Sequence, residues 1–199
     1  MSLNLTPATW QLWCFATLTL AMVIAVEADT RERRIPNVLV LLMLCAGVAL
    51  NVLGPDNGRG GLFSYFPGAL GAGGAVLGAL TGLLAFLPLY WLRATGAGDV
   101  KLMAALGSFV GPMEVLNLAL CILVVGGVLA VLRMLWAGKS RLVLSNVRLA
   151  LGSLRGGAAQ QFDPVTQSAD RMPYALAFAG GLLSYGYWRL IGGAPFISF

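Results

Sequence analysis

The residues best suited to chemistry are two aspartates, Asp29 and Asp99, each of which lies beside a long apolar run. Asp99 stands in the segment 96–102, which has the sequence GAGDVKL. A carboxylate at the centre of a spanning helix costs about 2.5–3.5 kcal/mol on insertion scales, so an ionisable residue held in a membrane is a functional candidate. Gly96 and Gly98 carry no side chain, and they therefore allow another backbone or a substrate to approach Asp99.

Two carboxylates that lie within a few ångströms of each other do not both ionise readily, so one of them keeps its proton. The ionised carboxylate can take a proton from water, and the protonated one can donate to a substrate carbonyl or a leaving amine. If Asp29 and Asp99 meet, the pattern predicts the chemistry of an aspartic protease, in which the pair titrates as a unit.

Composition excludes several other kinds of site. The chain has no histidine, which excludes a histidine triad and histidine metal ligands. Cys14, Cys45 and Cys121 lie singly in apolar runs without a Cys-x-x-Cys spacing, so we expect no metal site, no redox pair and no cofactor. The net charge of +5 does not indicate a nucleic-acid partner, because the basic residues cluster in loops beside the apolar runs.

The elements that position the aspartates are predicted to be membrane helices. Of the 199 residues, 58% are apolar and 11% are charged, whereas a soluble domain has about 25% charged residues. We therefore expect an all-α membrane protein with one domain over 1–199 and six transmembrane segments. The segments are predicted at about 8–28, 35–53, 67–92, 100–110, 113–136 and 173–191.

Three stretches within this plan have distinct patterns. The run 100–110 is too short to span alone, so it is either a half-helix or a helix that begins upstream in the glycine segment. Gly74, Gly78 and Gly82 recur every four residues, a spacing that predicts close packing against another helix. An amphipathic helix is predicted over 139–155, on the cytoplasmic side of the membrane interface between segments five and six.

The basic residues predict the orientation. If the loop after the first segment is cytoplasmic, two basic residues, Arg59 and Arg189, lie outside and eleven lie inside, which is a strong positive-inside bias. The N-terminus is then periplasmic, and both aspartates reach the cytoplasmic boundary. The eleven are Arg31, Arg33, Arg34, Arg93, Lys101, Arg133, Lys139, Arg141, Arg148, Arg155 and Arg171.

Simpler interpretations of the acidic residues stand beside this one. Asp29 can be a solvated loop residue beside the neighbouring arginines. Asp99 can pair with Lys101 or Arg93 as a structural charge, or it can hold a cation or proton in a small ion-coupled transporter. Against a transporter, the sequence has no internal repeat, and the aspartates are expected at the boundary rather than at the midplane. Glu27 is expected on a different helix face from Asp29.

The motifs resemble those of type IV prepilin peptidases. The segment 96–102 resembles their GxGD-x-K-[LM] motif, and Asp29 followed by Ile35, Pro36 and Asn37 resembles their first-aspartate motif. The segment 172–177, MPYALA, is similar to the one that opens the family's last helix. The three matches occur in order over almost the whole chain. The chain has no extra region with paired Cys-x-x-Cys motifs, so it resembles the compact TadV or CpaA type of Tad/Flp pilus systems, and N-methyltransferase activity is not expected.

The resemblance implies that Asp29 and Asp99 are the catalytic pair of an intramembrane aspartic endopeptidase in the bacterial inner membrane. Such an enzyme removes the basic leader peptide from prepilins and pseudopilins on the cytoplasmic side, with membrane lipid and the pilus assembly machinery as further partners. The rivals are another GxGD intramembrane protease, of the signal-peptide-peptidase or presenilin-like group, the transporter, and a catalytically silent scaffold. The residues expected to shape the substrate site are Gly96, Gly98, Lys101, Pro36, Asn37 and Pro173.

Overall fold

The computed structural model describes residues 6–55, 61–64, 66–92, 94–136 and 174–197. These residues form six helices, and the predicted all-α architecture is confirmed for them. Three of the helices, α1, α3 and α5, are long and apolar enough to cross a membrane, and α2 is a shorter apolar helix. The amphipathic helix predicted over 139–155 lies outside the described residues. The helices are α1 (Pro7–Glu32), α2 (Asn37–Leu53), α3 (Gly71–Trp91), α4 (Ala97–Val110), α5 (Pro112–Trp136) and α6 (Ala175–Leu190).

The short helix α4 lies at the centre of the bundle. It is buried along almost its whole length, and α2, α3 and α5 pack around it. Its 14 residues span about 21 Å at 1.5 Å per residue, less than the roughly 30 Å of a hydrocarbon core. Because other helices surround α4, its length does not have to match the thickness of the lipid. Of the two alternatives for the run 100–110, the helix that begins upstream is the observed one, since α4 starts at Ala97.

The close contact between α3 and α4 depends on glycine. A Cβ atom added to Gly78 would lie 2.1 Å from the carbonyl oxygen of Gly107, and one added to Gly107 would lie 2.1 Å from that of Gly78. A Cβ on Gly82 would lie 2.5 Å from a carbonyl oxygen of α4. The predicted packing stripe is therefore confirmed at two of its three positions. Gly74 differs, because its added Cβ would meet Leu70 of its own chain segment at 2.5 Å.

Asn51 holds the end of α4 that lies opposite Asp99. Its buried side-chain amide donates to the carbonyl oxygens of Ser108, at 2.9 Å, and Gly47, at 3.1 Å. Its Oδ1 accepts a hydrogen bond of 2.9 Å from the backbone N–H of Leu70, just before α3. Helix ends leave backbone groups without partners, and leaving such a group unpaired in an apolar interior costs about 1–3 kcal/mol. Asn51 thus satisfies backbone groups of α2, α3 and α4 together.

Helix α1 extends past the boundary predicted from the sequence. The stretch predicted as a charged loop is helical as far as Glu32, and Arg33 ends the helix with a φ of 53°. Glu27 and Arg31, one turn apart, form an ion pair of 2.8 Å that supports this last turn. Asp29 is consequently a residue inside α1 rather than the first residue after it.

A polar cluster joins α5 to α6 at the end of the bundle away from Asp99. The guanidinium of Arg189 lies 3.0 Å from the carboxylate of Glu114, and both side chains are largely buried. The hydroxyl of Tyr185 also hydrogen-bonds to Glu114. These contacts hold the C-terminal end of α6 against α5. The first residue of α6, Ala175, lies at the opposite end of that helix.

The glycine contact between α3 and α4 predicts a specific loss of stability. Gly78→Ala places a methyl group where a carbonyl oxygen lies, so we expect the free energy of unfolding to fall by about 1–3 kcal/mol. The matched control is Gly73→Ala in the same helix, because a Cβ there meets nothing within 4 Å. The thermal unfolding midpoints of the two purified variants are measured in detergent, and the midpoint of Gly78→Ala is expected to be the lower one. Equal midpoints for Gly78→Ala and Gly73→Ala would contradict the packing role of Gly78.

Candidate active site

Asp29 interacts with the N-terminus of α6. Its Oδ2 accepts a hydrogen bond of 2.9 Å from the backbone N–H of Ala175, the first residue of that helix. The first N–H groups of a helix have no partner within the helix, so the carboxylate of Asp29 satisfies one of them. Asp29 is half-buried, and its neighbour Arg31 pairs with Glu27. The interpretation of Asp29 as a solvated loop residue is therefore wrong.

Asp99 lies in the first turn of α4 and is only 7% exposed. Its Oδ2 accepts a hydrogen bond of 2.9 Å from the backbone N–H of Gly96, and its own N–H donates to the carbonyl oxygen of Gly96 at 3.1 Å. Gly96 is the N-cap of the helix, so the carboxylate satisfies an N–H group at the helix start in the manner of a capping box. The position of the Asp99 carboxylate is thus set by the beginning of its own helix.

The two aspartates come close enough for their charges to interact. The negative charge of Asp29 acts on the carboxyl group of Asp99, although the two residues belong to different helices that are far apart in sequence. The charge of Asp99 also acts on the phenol of Tyr174, the residue directly before Ala175. The start of α6 therefore lies beside both carboxyl groups. The two carboxyl groups, whose relative position the sequence left open, are thus within electrostatic range of each other.

Lys101 joins two helix starts rather than binding Asp99. Its Nζ donates a hydrogen bond of 3.1 Å to the Oδ1 atom of Asn37, and both groups are exposed. Asn37 is the first residue of α2 and Pro36 is its N-cap. These three residues therefore lie at the same end of the bundle as Asp99, where they tie the start of α2 to the start of α4. The predicted alternative of an Asp99–Lys101 pair is wrong, because the lysine contacts Asn37.

Neither glycine of the motif is required by the packing of the described residues. A Cβ added to Gly98 would lie 3.5 Å from the side chain of Ile35, and one added to Gly96 would lie 3.4 Å from Oδ2 of Asp99, which are ordinary van der Waals distances. The backbone of Gly96, with φ −81° and ψ 159°, is accessible to any residue. A small side chain would therefore fit at both positions as far as the chain itself is concerned.

Sequence reasoning missed three residues at this end of the bundle. The sequence pattern assigns Tyr174 and Ala175 to the segment that opens the last helix, but it does not predict that a phenol and a main-chain N–H lie near the aspartates. The hydroxyl oxygen of Thr95 is buried and has no hydrogen-bond partner among the described residues. Pro173, predicted to shape the site, lies outside the described residues. Glu27 is exposed and pairs with Arg31.

The site offers carboxylates and hydrogen-bond donors but no metal-binding cluster. Within the described ranges, no group of three or more histidine, cysteine, aspartate or glutamate side chains could hold a metal ion. The cysteines Cys14, Cys45 and Cys121 are free. Two interacting carboxyl groups can act as a general acid and a general base.

The comparisons with known proteins point to one family. The model of the type IV leader peptidase family matches residues 16–131, which include both aspartates. The prepilin leader peptidase/N-methyltransferase of Aeromonas salmonicida is 32% identical over 118 residues, which cover 56% of this chain and 36% of that protein. The same-named protein of Pectobacterium carotovorum is 28% identical over 134 residues, covering 64% of this chain and 42% of the relative.

A third relative shows a shorter match with higher identity. The type 4 prepilin-like proteins leader peptide-processing enzyme of Escherichia coli O78:H11 is 49% identical over 53 residues, covering 23% of this chain and 20% of that protein. The chain thus spans 42% or less of the length of each of these three curated relatives. No solved structure matches the chain significantly. Because the family model covers more than half of the chain, and with it both aspartates, the protein belongs to the type IV leader peptidase family.

Proposed function

We propose that this protein is an intramembrane aspartic endopeptidase that removes the basic leader peptide from type IV or Flp prepilins and pseudopilins. The observation that carries the proposal is that Asp29, held by the N–H of Ala175, and Asp99, held by the N–H of Gly96, come from separate helices and lie within electrostatic range of each other. Family membership and the names of the relatives, which are prepilin leader peptidases, support the substrate class. The proposal covers the peptidase activity and does not extend to the methyltransferase that two of those names include.

The membrane arrangement is the second part of the proposal. Three helices are long and apolar enough to span, which makes this a membrane protein, and we propose that all six helices cross the bacterial inner membrane. The N-terminus would be periplasmic because the basic residues then lie mainly in the cytoplasm. Helices α1 and α3 would run towards the cytoplasm and deliver Asp29 and Asp99 to that boundary. The segment 139–155 would lie in the interface on the same side, in contact with lipid.

This geometry suits a substrate that is itself a membrane helix with a basic leader. The scissile bond would lie at the cytoplasmic boundary, where the leader meets the apolar helix of the prepilin. Gly96 and Gly98 support this role, because the packing within the protein does not require glycine at either position. The space that two side chains would occupy is then available to the extended peptide. Lys101 and Asn37 would border the same entrance, and the pilus assembly machinery would receive the processed subunit.

Hydrolysis can proceed with these two carboxyl groups and one water molecule. The ionised carboxylate takes a proton from water, and the water oxygen bonds to the carbonyl carbon while the protonated carboxyl donates its proton to the carbonyl oxygen. In the second step one hydroxyl of this intermediate gives a proton to the carboxylate that is now ionised. The protonated carboxyl of the pair gives its proton to the amide nitrogen, and the C–N bond breaks. The products are a carboxylic acid and an amine. Asp29 and Asp99 act as one unit, and both protonation roles belong to the pair.

The paired-aspartate mechanism predicts that each carboxyl group is indispensable. Asp29→Asn and Asp99→Asn should each lower the rate of leader removal by about 10²–10⁴-fold, because an amide neither accepts nor donates the required proton. The rate is measured as the fraction of a co-purified prepilin that has lost the mass of its leader at successive times. Glu27→Gln is the matched control, since Glu27 is close in sequence but pairs with Arg31. An asparagine variant that inserts normally and cleaves at the wild-type rate would contradict the mechanism.

The proposed room for substrate predicts a separation of activity from stability. Gly98→Ala should leave the unfolding midpoint unchanged, because its Cβ makes only an ordinary contact with Ile35. The same methyl group should raise the KM for a prepilin by obstructing the peptide. Gly127→Ala serves as the control, since a Cβ at Gly127 meets nothing within 4 Å. An unchanged KM for Gly98→Ala would show that the glycine does not adjoin the substrate.

The carboxyl mechanism also predicts resistance to two inhibitors. Leader removal should continue in the presence of a metal chelator and after alkylation of the free cysteines, because neither a metal ion nor a thiol takes part in the steps above. Cleavage rates before and after each treatment provide the measurement. Loss of activity on chelation that added zinc restores would contradict the proposed chemistry.

A further inference from the structure

Tyr174 is a polar side chain at the start of α6, close to the aspartates, and the peptidase mechanism assigns it no function. It directly precedes Ala175, the residue whose backbone N–H binds Oδ2 of Asp29 at 2.9 Å. Its phenol lies close enough to Asp99 for the charge of that carboxyl group to act on it. The main chain at Tyr174 is therefore held beside Asp29, and the side chain is within electrostatic range of Asp99.

The backbone that carries Tyr174 is firmly held. Its carbonyl oxygen accepts hydrogen bonds from the N–H groups of Ala177, at 2.9 Å, and Phe178, at 3.1 Å, in the first turn of α6. Phe178 is fully buried and packs against Phe86 of α3 with a ring separation of 5.5 Å. A side chain on a rigid helix start is well suited to present a donor at a defined place.

The phenol itself is available to a ligand. The Tyr174 side chain is partly open, with 37% of the residue exposed. Its hydroxyl makes no hydrogen bond with the rest of the described chain, so its donor is unused there. A phenol has an ordinary pKa of about 10 and therefore carries its proton at neutral pH. Among the described residues, Tyr174 thus offers an O–H donor without a partner, near two carboxyl groups.

We propose that the hydroxyl of Tyr174 donates a hydrogen bond to the scissile carbonyl oxygen of a peptide bound between Asp29 and Asp99. The inference rests on the proposed peptidase function. The tyrosine keeps its proton throughout, while the carboxyl pair moves the protons between water, carbonyl oxygen and leaving nitrogen. The hydrogen bond strengthens as negative charge develops on the carbonyl oxygen, and such pre-positioned donors stabilise the transition state more than the bound substrate.

The test uses the full-length protein in detergent micelles and a synthetic peptide that consists of a basic leader, a glycine and an apolar helix. Tyr174→Phe removes the hydroxyl and keeps the ring. We expect its kcat to fall by about 10²–10³-fold, as for loss of one oxyanion donor, with KM, the unfolding midpoint and the shape of the pH–rate profile unchanged. Tyr187→Phe, on the same helix at a residue that is 67% exposed, is the control and should keep the wild-type kcat.

The outcomes separate this inference from the function on which it rests. Cleavage by the wild type that is lost in Asp99→Asn shows that the peptidase is present in the assay. A Tyr174→Phe variant with the wild-type kcat then overturns the proposed hydrogen bond but leaves the peptidase proposal intact. A variant whose kcat falls because its pH–rate profile has moved also overturns the hydrogen bond, since the tyrosine would then act by changing the protonation of Asp99. If Tyr174→Phe unfolds at a lower temperature, kcat is measured well below its unfolding midpoint, and a wild-type kcat there overturns the inference. A wild type that leaves the peptide intact overturns the peptidase proposal and this inference with it.

Discussion

The site depends on one hydrogen bond, which runs from the backbone N–H of Ala175 to the carboxylate of Asp29. It joins the end of the first helix to the start of the last one, and a charged acceptor at a helix N-terminus is favoured by the helix dipole. The far end of α6 is held independently by Arg189 and Glu114, so the start of the helix has a defined position from which to hold Asp29. Without this contact, Asp29 would be one of several acidic residues in the last turns of α1.

The second carboxyl group owes its place to the central helix. Helix α4 is short and buried, and it approaches α3 through Gly78 and Gly107 more closely than larger residues would permit. A buried carboxylate without partners is very costly, and the N–H of Gly96 offsets part of that cost at Asp99. The bundle can therefore keep a polar group at the start of an otherwise apolar helix, within electrostatic reach of Asp29.

The sequence identified Asp29, Asp99 and the glycines because their types and spacing have a direct chemical meaning, and the resemblance indicated the family that the comparison confirmed. It did not predict the partner of Asp29, because a main-chain N–H from a distant helix has no signature in the side-chain pattern. The same limit applies to Tyr174, whose relation to Asp99 arises from tertiary packing. The end of α1 was misplaced because a run of charges suggested a loop, whereas Glu27 and Arg31 pair along a helix. The single domain, the six spanning segments and the orientation stay predictions.

The central claim is that Asp29 and Asp99 form one site, and short-range cross-linking tests it most directly. The variant would carry Asp29→Cys and Asp99→Cys in a background in which Cys14, Cys45 and Cys121 are replaced by alanine. In membranes, a short bifunctional thiol reagent should link the two introduced residues within one chain. The control pair, Glu27→Cys with Asp99→Cys, should remain unlinked, because positions 27 and 29 point about 200° apart around α1. Equal linking of both pairs, or none between positions 29 and 99, would contradict the account.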